Sequence, residues 1–158
     1  MPLPPGHGLI KAVGVSAYAK RFADPRIGAY YEVPVIELKL ENGRRFLMSN
    51  VPPEIVEAIQ VLNNQLDIPR RQSIYILLMH NEEFKDILTR SIKEVIIDEL
   101  DEARGLYTAS LILEEDGFHL TLKMIPSHAI FLALLAGKPI YVREDLVEEA
   151  PWDEEEEF

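Results

Sequence analysis

Four carboxylates crowd one short stretch of the chain, Asp98, Glu99, Asp101 and Glu102, where an apolar run gives way to a turn. Oxygen ligands converging at such a junction, Asp98 and Asp101 first among them, suit a hard divalent cation such as Mg²⁺ or Mn²⁺. A cation held there would activate water and neutralise the leaving oxygen in phosphodiester hydrolysis. The same four residues also read as the solvated tip of a hairpin, where acidic side chains are common. His80, His119 and His128 are scattered, and no two stand four apart, the spacing that sets two imidazoles on one helical face for a metal. Each is first expected to be structural, His119 at an exposed strand position between Phe118 and Leu120. Phosphate-binding glycine loops, dinucleotide fingerprints, Gly-x-Ser-x-Gly turns and His-Glu-x-x-His helices do not occur. The chain has no Cys, which excludes disulfides, thiol nucleophiles, iron–sulfur clusters and all-thiolate zinc sites.

Any such chemistry needs elements to position it. Alternating apolar residues predict strands over 8–18 and 30–40, and Glu41-Asn42-Gly43-Arg44 predicts a tight turn into a third strand over 45–49. Pro34 cannot donate to a ladder, so the second strand is expected to have a free edge there. The period then changes to three-to-four. Ile55, Ala58, Ile59, Leu62 and Leu66 predict a helix over 52–66, opened by Pro52 and Pro53. Glu54 and Glu57 read as charges at its start. A second helix is predicted over 73–89, capped by Ser73, with Ile74, Leu77, Leu78, Phe84, Ile87 and Leu88 apolar. Strands over 92–100, 106–113 and 117–124 follow as an antiparallel meander. A third helix over 127–136 is closed by Gly137, and a short strand over 140–142 and a helix over 143–149 complete the pattern. Strands and helices without regular alternation indicate an α+β domain, in which helices pack against antiparallel strands.

With 158 residues, 47% hydrophobic and 27% charged, the composition is that of one globular domain. The expected organisation is a flexible lead-in over 1–7, the domain over 8–150 and an acidic tail over 151–158. The formal charge of −11 is unevenly spread: nine acids fall in residues 144–158, and the preceding 143 residues carry 18 acids against 16 bases. The body is therefore nearly neutral, which leaves room for a basic face in its first half. The tail is expected to stay solvated, the sharper alternative being that it mimics a phosphate chain and competes with nucleic acid. No leader or apolar run of about 20 residues is visible, which argues against secretion and a membrane span; together with the absence of Cys this fits a cytoplasmic protein. Few Asn and Gln also suit a thermophile.

The segment from Ile125 to Val142 resembles the signature of the bifunctional nuclease domain family, in which Pro-Ser-Asp-Ala-Ile opens an apolar helix leading to Gly-x-Pro-Ile-Tyr-Val. Pro126, Ser127, Ala129, Ile130, Gly137, Pro139, Ile140, Tyr141 and Val142 match it. The resemblance extends in order over roughly residues 8 to 150, and implies an α+β domain, a homodimer with a groove, and DNase and RNase activity. Two departures touch the chemistry. Ile125-Pro126-Ser127-His128 stands where the family has Arg-Pro-Ser-Asp, and Arg71-Gln72-Ser73-Ile74-Tyr75-Ile76 stands where it has Arg-Pro-x-Thr-His-Asp. Two readings follow. One is a metal-assisted nuclease without sequence specificity for DNA or RNA, in which Arg70 and Arg71 bind phosphate, His128, Ser127 and Asp98 form the catalytic group, and Asp98 and Asp101 hold the cation. The other is a dimeric binding module that keeps the fold without the catalysis.

Overall fold

The computed structural model describes residues 8–148, so the lead-in and the acidic tail lie outside the described residues. Seven strands and five helices follow one another as β1 (Leu9–Asp24), β2 (Ala29–Leu40), β3 (Arg45–Met48), α1 (Pro53–Leu62), α2 (Ile74–Met79), α3 (Glu82–Ser91), β4 (Ile92–Asp101), β5 (Leu106–Glu115), β6 (Phe118–Met124), α4 (Pro126–Ala136), β7 (Ile140–Arg143) and α5 (Glu144–Glu148). The strands form one sheet in the order β3-β2-β1-β7-β4-β5-β6. Strand β7 returns after α4 and enters between β1 and β4, antiparallel to the first and parallel to the second. That parallel pair makes the sheet mixed rather than wholly antiparallel. The α+β class stands.

Helices α1 to α4 contact one another in series, and α4 also lies on β4 and β5. Its sequence, PSHAIFLALLA, is apolar almost all round because it is covered by α1, by α3 and by the sheet. Ala129, Ile130 and Ala133 of α4 share a core with Val95 and Ile97 of β4, Ala109 and Leu111 of β5, and Ile55, Ala58 and Ile59 of α1. Gly137 ends α4 at φ +67°, a left-handed conformation that favours glycine.

Several boundaries differ from the sequence pattern for local reasons. Helix α1 stops at Leu62 rather than 66 because Asn64 turns to φ 60°, and Leu66 is left exposed. Asn63 is held at this end by donating Nδ2–H to the Val15 carbonyl at 3.0 Å. The single helix expected over 73–89 is two: Ser73 caps α2, and Asn81 restarts α3 by accepting from the Phe84 N–H at 3.0 Å. Strand β1 runs six residues beyond Tyr18 because Lys20 and Arg21 interrupt the apolar pattern without interrupting the ladder to β2. Pro34 pairs with Ala19 of β1, and β3 reaches only as far as Ile36, so no described strand pairs with the outer edge at Pro34.

Candidate functional site

The first turns of α2 and α4 meet. The Tyr75 ring stands edge-on to the His128 imidazole at 5.9 Å and to the Phe131 ring at 5.5 Å. Ser73 fixes the start of α2 by accepting from the Ile76 N–H at 3.4 Å, and Ile76 is fully buried beneath it. Pro126 occupies the first turn of α4, where its missing N–H costs no helical bond. Arg70 and Arg71 are exposed in the segment leading into α2, and neither makes an ion pair or hydrogen bond with a described residue. Beside them, His80 Nε2 and Gln72 Oε1 stand 3.2 Å apart, bracing the segment across α2. Two exposed guanidiniums on the segment that leads into the helix touching His128 are groups suited to pairing with phosphate oxygens.

This geometry gathers Arg70, Arg71 and His128 on neighbouring segments, but it leaves Asp98 out. Ser110 lies between Ala109 and Leu111, whose side chains enter the helix-covered core, so strand alternation turns Ser110 to the other side of the sheet. There Ser110 Oγ donates to Asp98 Oδ2 at 2.8 Å, while Lys123 Nζ donates to Ser110 Oγ at 2.8 Å and stands 3.5 Å from Asp98. The sheet thus separates Asp98 from Ser127 and His128, and the three are not one catalytic group. Burial would lower the Lys123 pKa, but the hydrogen bond and charge of Glu99, with those of Asp98, outweigh it and raise the value. Arg143 adds a further bond, donating from Nη1 to the Asp98 carbonyl at 3.2 Å.

The carboxylates offered for a cation are engaged otherwise. Asp98 already faces the Lys123 ammonium, while Asp101 accepts from the Arg104 N–H at 3.3 Å and stands 3.7 Å from its guanidinium. Among the described residues no group of three or more His, Asp and Glu comes together to hold a metal. The donor set therefore does not fit a divalent cation at Asp98 and Asp101. Ser127 is also less available than its place in the sequence implied: it is 4% exposed, and its Oγ has no hydrogen-bond partner among the described residues. His119 is the surface residue expected, with Nδ1 3.0 Å from Glu114 Oε2.

The family model of the bifunctional nuclease domain matches residues 36–155, from β2 through α5 and beyond. The chain belongs to the bifunctional nuclease domain family. None of the curated proteins compared with it matches. In this bifunctional nuclease domain, the two segments that depart from the family signature are the ones that meet, through Tyr75 and His128. Their apolar substitutions stay at the surface: Ile74 is 64% exposed and Ile125 59%. Among the described residues no helix is long and apolar enough to cross a membrane. Sequence reading missed Tyr75 as the contact joining the segments, since one ring in an apolar run carries no mark of its partner. It also missed the Ser110–Lys123 pair, for which an outward Ser between two buried strand residues was a usable signal.

Proposed function

We propose that the protein binds DNA or RNA without sequence selection and hydrolyses its phosphodiester bonds at the joined first turns of α2 and α4. The observation that carries this reading is the contact of Tyr75 with His128, which sets the imidazole beside the segment bearing Arg70 and Arg71 in a domain of the bifunctional nuclease family. In this mechanism the arginines pair with the phosphate oxygens and offset the charge that grows in the transition state. His128 takes the proton from the attacking hydroxyl, either water or an RNA 2′-hydroxyl. The new P–O bond forms as the opposite P–O bond breaks; the leaving oxygen, on the far side of the phosphorus, takes a proton from solvent water, and the imidazolium returns its proton to solvent. Ser127 supports the turn from within rather than touching substrate. Two copies associate through the apolar side chains left exposed around this turn, Ile74, Leu77 and Ile125.

A second reading rests on the same exposed side chains. An apolar rim where the family carries polar groups suits a binding module that has lost hydrolysis. Binding and cleavage are separated by assaying both on one preparation. Arg70→Ala with Arg71→Ala is expected to weaken binding to single-stranded RNA and duplex DNA alike, and to flatten the log–log salt dependence by about one to two. An unchanged slope would remove the arginines from the interface. Cleavage by the wild type, with and without Mg²⁺ or Mn²⁺, supports the nuclease; binding without cleavage under all conditions supports the module.

A further inference from the structure

The β1–β2 hairpin, the β4–β5 turn and the start of α4 together line a cavity. Strand β7 is four residues long and pairs only with Leu9–Lys11 of β1 and Val95–Ile97 of β4. Because β1 is antiparallel and β4 parallel to it, β1 continues to Asp24 past the Ile140 end of β7, whereas β4 continues to Asp101 past its Arg143 end. The gap between the β1–β2 hairpin, the β4–β5 turn and the first turn of α4 is a cavity of about 800 Å³. This falls within the roughly 300–1,000 Å³ of small-molecule sites.

Its walls are mainly apolar, with Phe22, Val33, Val35, Leu100, Leu106 and Ile125 among them. Of the polar side chains in these walls, Ser49, Asn50 and Glu102 are exposed, and the buried or half-buried ones, Lys20, Tyr107 and Ser127, are donors. Lys20 is 6% exposed and its ammonium lies 5.6 Å from the Phe22 ring centre. The Tyr107 hydroxyl has no hydrogen-bond partner among the described residues, and burial pushes its pKa up, so it stays protonated as a donor. Ser127 also lines the cavity, and since its Oγ bonds to nothing described, rotating it toward a ligand costs no hydrogen bond. Glu102, the lining carboxylate, is exposed on the β4–β5 turn. Two hydroxyls and an ammonium in an apolar chamber call for an accepting, anionic head on a hydrocarbon body.

We propose that this cavity binds a small aliphatic monocarboxylic acid, its chain against Val33, Val35, Leu100 and Leu106 and its carboxylate accepting from the Tyr107 and Ser127 hydroxyls on the side of the cavity where Lys20, which keeps its own partner, adds a positive charge. The cavity shares the first turn of α4 with the proposed cleavage site, but its occupation does not depend on cleavage. The test uses the full chain and a series from hexanoate through octanoate to decanoate, with octanol as the uncharged control, followed by calorimetry and by amide NMR shifts. Saturable binding at one site is expected, tightening about fourfold per added methylene, with octanol weaker than octanoate. Val33→Trp, which fills the chamber, is expected to weaken octanoate at least tenfold, and Tyr107→Phe to weaken it about fivefold to tenfold with the fold intact. Absence of saturable binding across the series overturns the proposal. So does octanoate binding that is undiminished in both variants, or that shifts amides remote from these walls. Because no nucleic acid is present, neither failure bears on cleavage.

Discussion

If α2 is docked on α4 by the rings of Tyr75 and Phe131, the two side chains must be energetically coupled. Their centroids are 5.5 Å apart with planes at 73°, an edge-to-face arrangement, and Phe131 is 1% exposed. Such pairs contribute about 0.5–1.5 kcal/mol beyond the area they bury. Replacing Tyr75 or Phe131 by Leu keeps most of the apolar volume, so each single change should destabilise by about 1–3 kcal/mol. The double variant should then lose about 1 kcal/mol less than the sum of the singles. Urea unfolding with linear extrapolation resolves this when the slopes of the four proteins agree. Additivity within about 0.3 kcal/mol would show that the two rings do not hold α2 on α4, because side chains in direct contact do not act independently.

Two other expectations are tested in solution. The raised pKa of Lys123 means that its bonds to Asp98 and Glu99 favour the charged form in the folded state. That stability is fully present below the unfolded Lys pKa of about 10.4 and is lost as pH rises through the folded value. The stability gap between wild type and Lys123→Met should therefore narrow above about pH 10.4, as measured by denaturant midpoints across pH 8–12; a constant gap would show that the pair is not electrostatic. Association through Ile74, Leu77 and Ile125 should give a dimer by light scattering at micromolar concentration, with roughly 1,200 Å² or more buried in total. Ile74→Glu with Leu77→Glu should return it to monomer, and a wild-type monomer at that concentration would remove the interface.

The fold was largely legible because its elements follow simple periods. Alternation marked β2, β4 and β5, and the Pro126 start with the Gly137 stop bracketed α4 to within a residue. What periodicity does not carry is pairing across distance. It could not show that β7 inserts parallel to β4, nor that Asn81 divides one apolar stretch into two helices through a single cap. The candidate site divides along the same line. Arg71 and His128 are recognisable as residue types near family motifs, and the Tyr75 contact joins His128 to the helix that the Arg70–Arg71 segment precedes. Asp98 stands apart from Ser127 and His128 because a strand residue faces one side or the other according to register, and the bulge between Ile97 and Glu99 is invisible in sequence. The buried state of Ser127 depends on what α4 packs against, which no local pattern records.

The central claim is that His128 moves the proton in cleavage at the joined first turns. It is tested most directly by single-turnover cleavage of a labelled single-stranded RNA with purified wild type, His128→Ala and His128→Gln, each confirmed folded by circular dichroism. The expected result is cleavage by the wild type and a loss of about 10²-fold or more in both variants, with RNA affinity retained, since a general base typically contributes about 10²–10⁴-fold. Undiminished cleavage in both variants would contradict the assignment and place the chemistry elsewhere in the domain.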